Sequence, residues 1–179
     1  MTDADLAHQA NVLGALALVV EDRTMDAIGG ATGQSGTSAT ALSALHHFLD
    51  RPTLDLLRQV LGLTPSGAVR LVDRLTDAGY VTRGPGGDRR SRSVKLTRKG
   101  RRAAREISEA RAEILRGALE RLTPAEQATL ARLIGKLLAG FVRGPGAVRW
   151  SCRLCDTHAC GRDAGRCPMA NAARERYGS

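Results

Sequence analysis

All four cysteines of this chain lie in one C-terminal stretch, Cys152, Cys155, Cys160 and Cys167, spaced C-x2-C-x4-C-x6-C with Pro168 behind the last. Thiols gathered this closely, in a chain expected to be cytoplasmic, point to metal before structural disulfides. Four soft donors suit tetrahedral zinc, the expected cofactor, and also suit an iron–sulfur cluster, the alternative. The first three cysteines are spaced as in a zinc knuckle. Against that, Asp156 stands where small zinc turns favour glycine, only one C-x2-C is present, and the closing Cys-Pro suits a cluster. Asp156 and His158 are available as substitute ligands. A third chemistry needs no metal: Cys152 and Cys155 are an oxidisable pair, with Arg153 favouring the thiolate. The plainest reading is four unligated thiols on a disordered tail.

A second kind of chemistry lies upstream. Between positions 83 and 105 stand ten basic residues, Arg83, Arg89, Arg90, Arg92, Lys95, Arg98, Lys99, Arg101, Arg102 and Arg105, opposed only by Asp88. This window carries the +9 net charge of the whole chain, so the basicity is a local patch. Such density suits phosphate contact with counterion release, and arginine suits a narrow minor groove.

The elements around the patch read as a device for presenting it to a duplex. Thr53 caps a short helix over 54–61, Gly62 makes a tight turn, and Thr64-Pro65 opens a second helix over 66–78 that Gly79 stops. Two short helices joined through a glycine turn form a helix-turn-helix, whose second helix enters a major groove. In that helix Ala68, Leu71, Val72 and Leu75 form one apolar face. Ser66, Gly67, Arg70 and Arg74 fall elsewhere, the first three nearest the end that meets base edges. Strands over 80–83 and 93–96, joined by a glycine-rich, arginine-rich tip, make a wing.

These residues resemble the MarR family of winged helix-turn-helix transcriptional regulators. The resemblance rests on RLVDRLTDAGYV at the end of the second helix, and on Asp88-x-Arg90 followed by Val94-x-Leu96-Thr97-x-x-Gly100. It covers residues 10 to 142. It implies that Asp88 orients Arg90 into the minor groove and that Ser66 and Arg70 contact the major groove. Thr64, Gly67, Arg74, Arg89 and Arg92 complete the expected DNA-binding set. Gly67 and Val69 stand where family members often carry threonine. The resemblance also implies a ligand pocket between the dimer helices and the DNA-reading lobe, which His46 and His47 could line.

The expected fold is therefore mainly α with a small β-hairpin wing, flanked by N- and C-terminal dimerisation helices. The expected organisation is an N-terminal helix over 1–28, a DNA-binding region over 37–100, dimerisation helices over 101–142, a linker over 143–149 and a cysteine-rich tail over 150–179. The first helix carries Leu6, Leu13, Leu16, Ala17 and Val20. Gly29 to Gly36 reads as a loop without the lysine of a phosphate-binding loop, and 38–49 as a helix with Leu42, Leu45 and Leu49 on one face. A long helix over 97–122 follows the wing, and Thr123 with Glu126 forms a capping box for the last core helix. That helix has a wide apolar stripe, Leu130, Leu133, Ile134, Leu137, Leu138, Phe141 and Val142. A stripe so wide suits pairing with a second copy better than an intramolecular bundle.

Other classes are disfavoured. Aromatics make up 3% of the chain, too few for stacking platforms on single strands. The apolar run 12–20 is too short to span a bilayer, and its acidic flanks oppose a secretory signal. No Ser/His/Asp or paired-carboxylate constellation suggests an enzyme. The leading function is a homodimeric regulator, a repressor, on a palindromic double-stranded operator, released by a small ligand, a metal or a redox signal. The alternative is a dithiol or metal-dependent redox protein using the C-terminal cysteines, although the βαβ setting of that chemistry is lacking.

Overall fold

The computed structural model describes residues 2–34, 36–85, 92–144 and 147–178. Among them, eight helices and one hairpin follow in order. These are α1 (Asp3–Thr32), α2 (Gly36–His47), α3 (Leu54–Leu61), α4 (Pro65–Asp77), β1 (Val81–Pro85), β2 (Arg92–Leu96), α5 (Arg98–Leu119), α6 (Pro124–Gly140), α7 (Ala147–Ser151) and α8 (Pro168–Tyr177).

The expected loop at 29–36 is mostly helix. Gly29 and Gly30 lie inside α1, which ends only at Gly33, where φ is 64°. Each glycine costs a helix about 1 kcal/mol relative to alanine. Here the fully buried Ile28, and Thr24 one turn earlier, hold the segment against the core, so tertiary packing overrides propensity. Thr32 adds a back-bond from its hydroxyl to the Ile28 carbonyl at 2.8 Å. Helix α5 ends at Leu119, short of the expected 122. The box on α6 forms as read: the Glu126 N–H donates to Thr123 Oγ1, and the Thr123 N–H donates to Glu126.

Helix α2 is the hub of the main core. Every residue from Ser38 to Leu45 is buried, packed among Ile28, Leu57, Leu71, Val72, Leu75, Val81, Val94, Leu96 and Ile107. The expected faces hold: Ala68, Leu71, Val72 and Leu75 are all buried, as are Leu42, Leu45 and Leu49. The hairpin pairs antiparallel from Val81↔Leu96 to Pro85↔Arg92. A bridge from Thr53 to Ser93, with the Val94 N–H donating to the Pro52 carbonyl, ties the wing to the start of α3.

A second, smaller core gathers Val142, Val148, Cys152, Cys167, Met169, Ala170, Ala172 and Ala173. Beside both cores stand apolar surfaces that none of the described residues covers. Leu6, Val12, Leu13, Leu16, Leu18 and Val19 on α1 are exposed, as are Leu133, Ile134 and Leu137 on α6 and Phe141 at its end. Helix α6 has no buried residue at all. Among the described residues, no helix is long and apolar enough to cross a membrane.

Candidate nucleic-acid interface and cysteine module

The reading head is built by its caps. Thr53 Oγ1 accepts from the Leu56 N–H and opens α3, which Gly62 ends at φ 62°. Two residues later Thr64 Oγ1 accepts from the Gly67 N–H at 3.1 Å, and Pro65 starts α4. Thr64 is thus committed to its cap, with the Ser66 hydroxyl 3.4 Å away. A Cβ on Gly67 would stand 3.0 Å from that same Thr64 oxygen, so the cap itself favours glycine there. The buried face of α4 turns Ser66, Arg70 and Arg74 to solvent. It also exposes Val69, 42% accessible, an apolar side chain among the polar ones and of the kind that meets a thymine methyl.

Three contacts that sequence reasoning missed fix the wing on this helix. Arg83 of β1 donates to Asp73 of α4 at 2.6 Å, so one of the patch's ten cations is spent on orientation. Thr97 caps α5 through the Gly100 N–H, and its hydroxyl also donates to the Gly79 carbonyl at 2.7 Å. Lys99 donates to the Ala78 carbonyl while lying 4.5 Å from the centre of the Tyr80 ring. Gly100 sits where any Cβ would overlap the Tyr80 carbonyl, which explains the glycine in the Thr97-x-x-Gly100 pattern. Arg92 and Lys95 on β2 are exposed. Asp88, Arg89 and Arg90 lie outside the described residues.

The two histidines part company. His46 lines a cavity of about 170 Å³ with Leu45, Leu49, Asp50, Lys95 and Arg101. His47 turns the other way, 2.8 Å from Ser108 Oγ of α5 and 3.7 Å from Asp156 of the cysteine segment. Burial holds both below the ordinary histidine range. Arg105 and Arg101 push His46 further down and His46 does so to His47, while Asp156 opposes in each case.

The cysteine segment is a folded module. Cys152 and Cys167 are buried, Cys155 and Cys160 half-buried, and none is in a disulfide. The four thiols share one small core, where Cys152 and Cys155 perturb each other, Cys167 acts on Cys160, and the Cys160 thiol donates to the Thr157 carbonyl at 3.4 Å. The Cys152 thiol pulls Cys155 down to about 6, burial opposes, and Arg111 and Arg153 assist. Cys152 is pushed up by the neighbouring Cys155 thiol and by burial. Arg153 was legible as a neighbour in sequence, whereas Arg111 comes from α5, over 40 positions away. Asp156, considered as a ligand, instead accepts from the His158 and Ala159 N–H groups at 2.9 and 3.1 Å, capping a turn. His158 is exposed. Among the described residues, no three His, Cys, Asp or Glu side chains converge as they stand to hold an ion.

The module sits across the reading head and α6. Trp150 lies on the helix-turn-helix turn, its ring 2.6 Å from where a Gly62 Cβ would be. Leu154 packs on the main core, and Thr157 Oγ1 donates to the His47 carbonyl at 3.0 Å. On the other side α8 packs against α6, with Pro168 3.7 Å from a Cβ placed on Gly135.

Comparison with known proteins adds to this geometry. A profile described as the MarR family matches residues 32–91. YwhA, an uncharacterised HTH-type transcriptional regulator of Bacillus subtilis, is 34% identical over 84 residues, 46% of this chain and 60% of its own. The chain therefore spans less than two thirds of that relative's length. A MarR family protein from Bacillus stearothermophilus superposes with a TM-score of 0.68 at 26% identity, over 76% of this chain and 95% of that one. Sco3205 of Streptomyces coelicolor, a MarR family transcriptional regulator solved in complex with DNA, gives 0.61 at 23% identity, over 80% and 94%.

Proposed function

We propose that this chain, a winged helix-turn-helix protein of the MarR family with an added four-cysteine module, is a homodimeric, sequence-specific DNA-binding transcriptional repressor. One observation carries the reading. A capped helix with a buried apolar face turns Ser66, Val69, Arg70 and Arg74 outward beside a basic hairpin locked to it by Arg83–Asp73. Arg70 near the exposed start of α4 is the base-edge contact, and Ser66 and Arg74 position the helix on phosphate. Asp88, Arg89, Arg90 and Arg92 supply the wing. Sco3205, which shares the fold, was solved with DNA.

The dimer follows from what one chain leaves open. A helix with no buried residue and an exposed row of leucines on α1 demand a partner, and a second copy supplies the same surface. Two-fold pairing presents two α4 helices to a palindrome with half-sites about one helical turn apart. An effector that alters the spacing of the heads then releases the operator, a coupling of about 1–3 kcal/mol. The His46 cavity is the candidate site for a small ligand.

Selection of duplexes from a random pool, followed by anisotropy titration at several salt concentrations, tests the reading. Arg70→Ala is expected to weaken the selected duplex by about 1–3 kcal/mol and to relax one base position. Arg90→Ala is expected to weaken all duplexes and flatten the salt dependence. Leu137→Asp is expected to yield monomer with little duplex affinity. Unchanged affinity in both arginine variants overturns the interface; a dimer unaffected by Leu137→Asp overturns the pairing surface.

A further inference from the structure

The cysteine module has too little core to stand alone. Its buried side chains are two valines, one methionine, three alanines and two thiols, with Leu138 and Ala139 of α6 packed against them. Modules below about 40 residues need disulfides, metal or association to hold together. No disulfide is present, yet all four thiols belong to this one small core, Cys152 and Cys167 buried in it and Cys155 and Cys160 packed against it.

The donor set fits a thiophilic metal. Four thiolates around a divalent ion carry a net −2, and Arg162 acts on Cys152 while Arg111 and Arg153 act on Cys155. Zinc–sulfur bonds of about 2.3 Å put sulfurs about 3.8 Å apart in a tetrahedron. No three ligand side chains stand that close among the described residues, so the site is not preformed and binding a metal would have to draw the thiols together. Four thiols and one Zn²⁺ give the tetrathiolate and four protons, with no change of oxidation state.

What makes the site more than a staple is where the module rests. Trp150 covers the Gly62 turn between α3 and α4, and Thr157 and Asp156 hold the end of α2 at His47. Pro168 and the rest of α8 lie on α6. One module therefore touches both the reading head and a helix of the proposed dimer surface.

We propose that Cys152, Cys155, Cys160 and Cys167 hold a tetrathiolate metal centre, and that this centre clasps the helix-turn-helix to α6, fixing the head for DNA. The clasp stands on the module's contacts; its effect on DNA rests on the regulatory reading above.

Trp150, the only tryptophan of the chain, is a built-in reporter. Full-length protein, purified without oxygen, is analysed for metal and acid-labile sulfide, stripped with a chelator, and titrated with Zn²⁺ or Co²⁺. The expected result is about one ion per chain, a thiolate-to-cobalt charge-transfer band, and Trp150 emission that shifts red on stripping and returns with Zn²⁺. Duplex affinity is expected to change roughly tenfold between the two states. Iron with matching sulfide, lost together with the Trp150 signal, supports the clasp with a cluster on the same thiolates. Failure to take up either ion, or uptake with Trp150 emission unmoved, overturns the proposal. Cys167→Ser and, should that buried variant be insoluble, Cys160→Ser at a half-buried position are each expected to weaken ion uptake and abolish the Trp150 response. Absence of duplex binding in every state defeats the regulatory reading alone, because uptake and emission still decide the clasp.

Discussion

Ile28, Leu42, Leu57, Leu71, Val72, Leu75 and Ile107 close the core of the reading head, each under 2% accessible and drawn from five helices. In the cysteine module the corresponding places are taken by Val142, Val148, Met169, alanines and thiols. Burying a leucine or isoleucine side chain contributes about 1.5–3 kcal/mol, an alanine far less. The head is therefore held by apolar burial, whereas the module has little of it, and the proposed metal centre is what would make up the difference. If the thiols hold a metal as proposed, that contrast also separates their roles: packing alone keeps the head in one state, and loss of the metal would change the state of the module.

The largest expected effect tests this contrast directly. Ile107→Ala removes a fully buried side chain at the meeting of α5 and α2, and is expected to cost about 2–5 kcal/mol. In denaturant titrations that loss is expected to be the same with metal bound or stripped. Met169→Ala, in the module, is expected to matter little when the centre is loaded and to abolish protection of the module's amides when it is stripped. Equal costs for both variants in both metal states would erase the distinction between the two regions.

What the sequence made legible divides along the same line. The caps at Thr53, Thr64 and Thr123 are local chemistry, written within three residues, and each accepts from the backbone N–H three positions on. The apolar face of α4 is equally local. The glycines at 29 and 30 misled because their neighbours are decisive: Ile28 is fully buried against elements far away in sequence. Arg83 was legible as charge but not as the partner of Asp73, since the hairpin alone sets them 2.6 Å apart. The four cysteines were legible as a cluster of thiols, but not where the fold would place them. Nothing local to residue 150 says that its indole lies over residue 62, a contact made only when the module folds back across the head.

That long-range contact can be weighed by a double-mutant cycle. Gly62→Ala alone places a side chain at φ 62°, costing about 1–2 kcal/mol for the left-handed backbone. It also drives a methyl into the Trp150 ring. In a Trp150→Ala background only the backbone cost remains, so the two changes are expected to couple by about 0.5–3 kcal/mol. Strict additivity would detach the indole from the turn and with it the mechanical link from module to head.

A smaller effect is expected from His47, where head and module meet through a titratable group. Burial lowers its pKa from 6.5, His46 adds to this, Asp156 of the module opposes it, and Ser108 of α5 bonds the other ring nitrogen. His46 is lowered likewise, by burial and by Arg105 and Arg101, against Asp156. Because both folded values lie below the unfolded one, the unfolded chain binds more protons in the interval between them. Stability is then complete above about pH 6.5 and is lost as the pH falls through that value toward the folded pKa. Unfolding free energies measured from about pH 8 down to about pH 5 should therefore decline, and decline less in His47→Gln. Asp156→Asn removes the charge that favours the protonated ring, so the folded value falls further and the decline extends to lower pH. An unchanged slope in His47→Gln would leave His46 as the titrating group and place the pH response in the head alone.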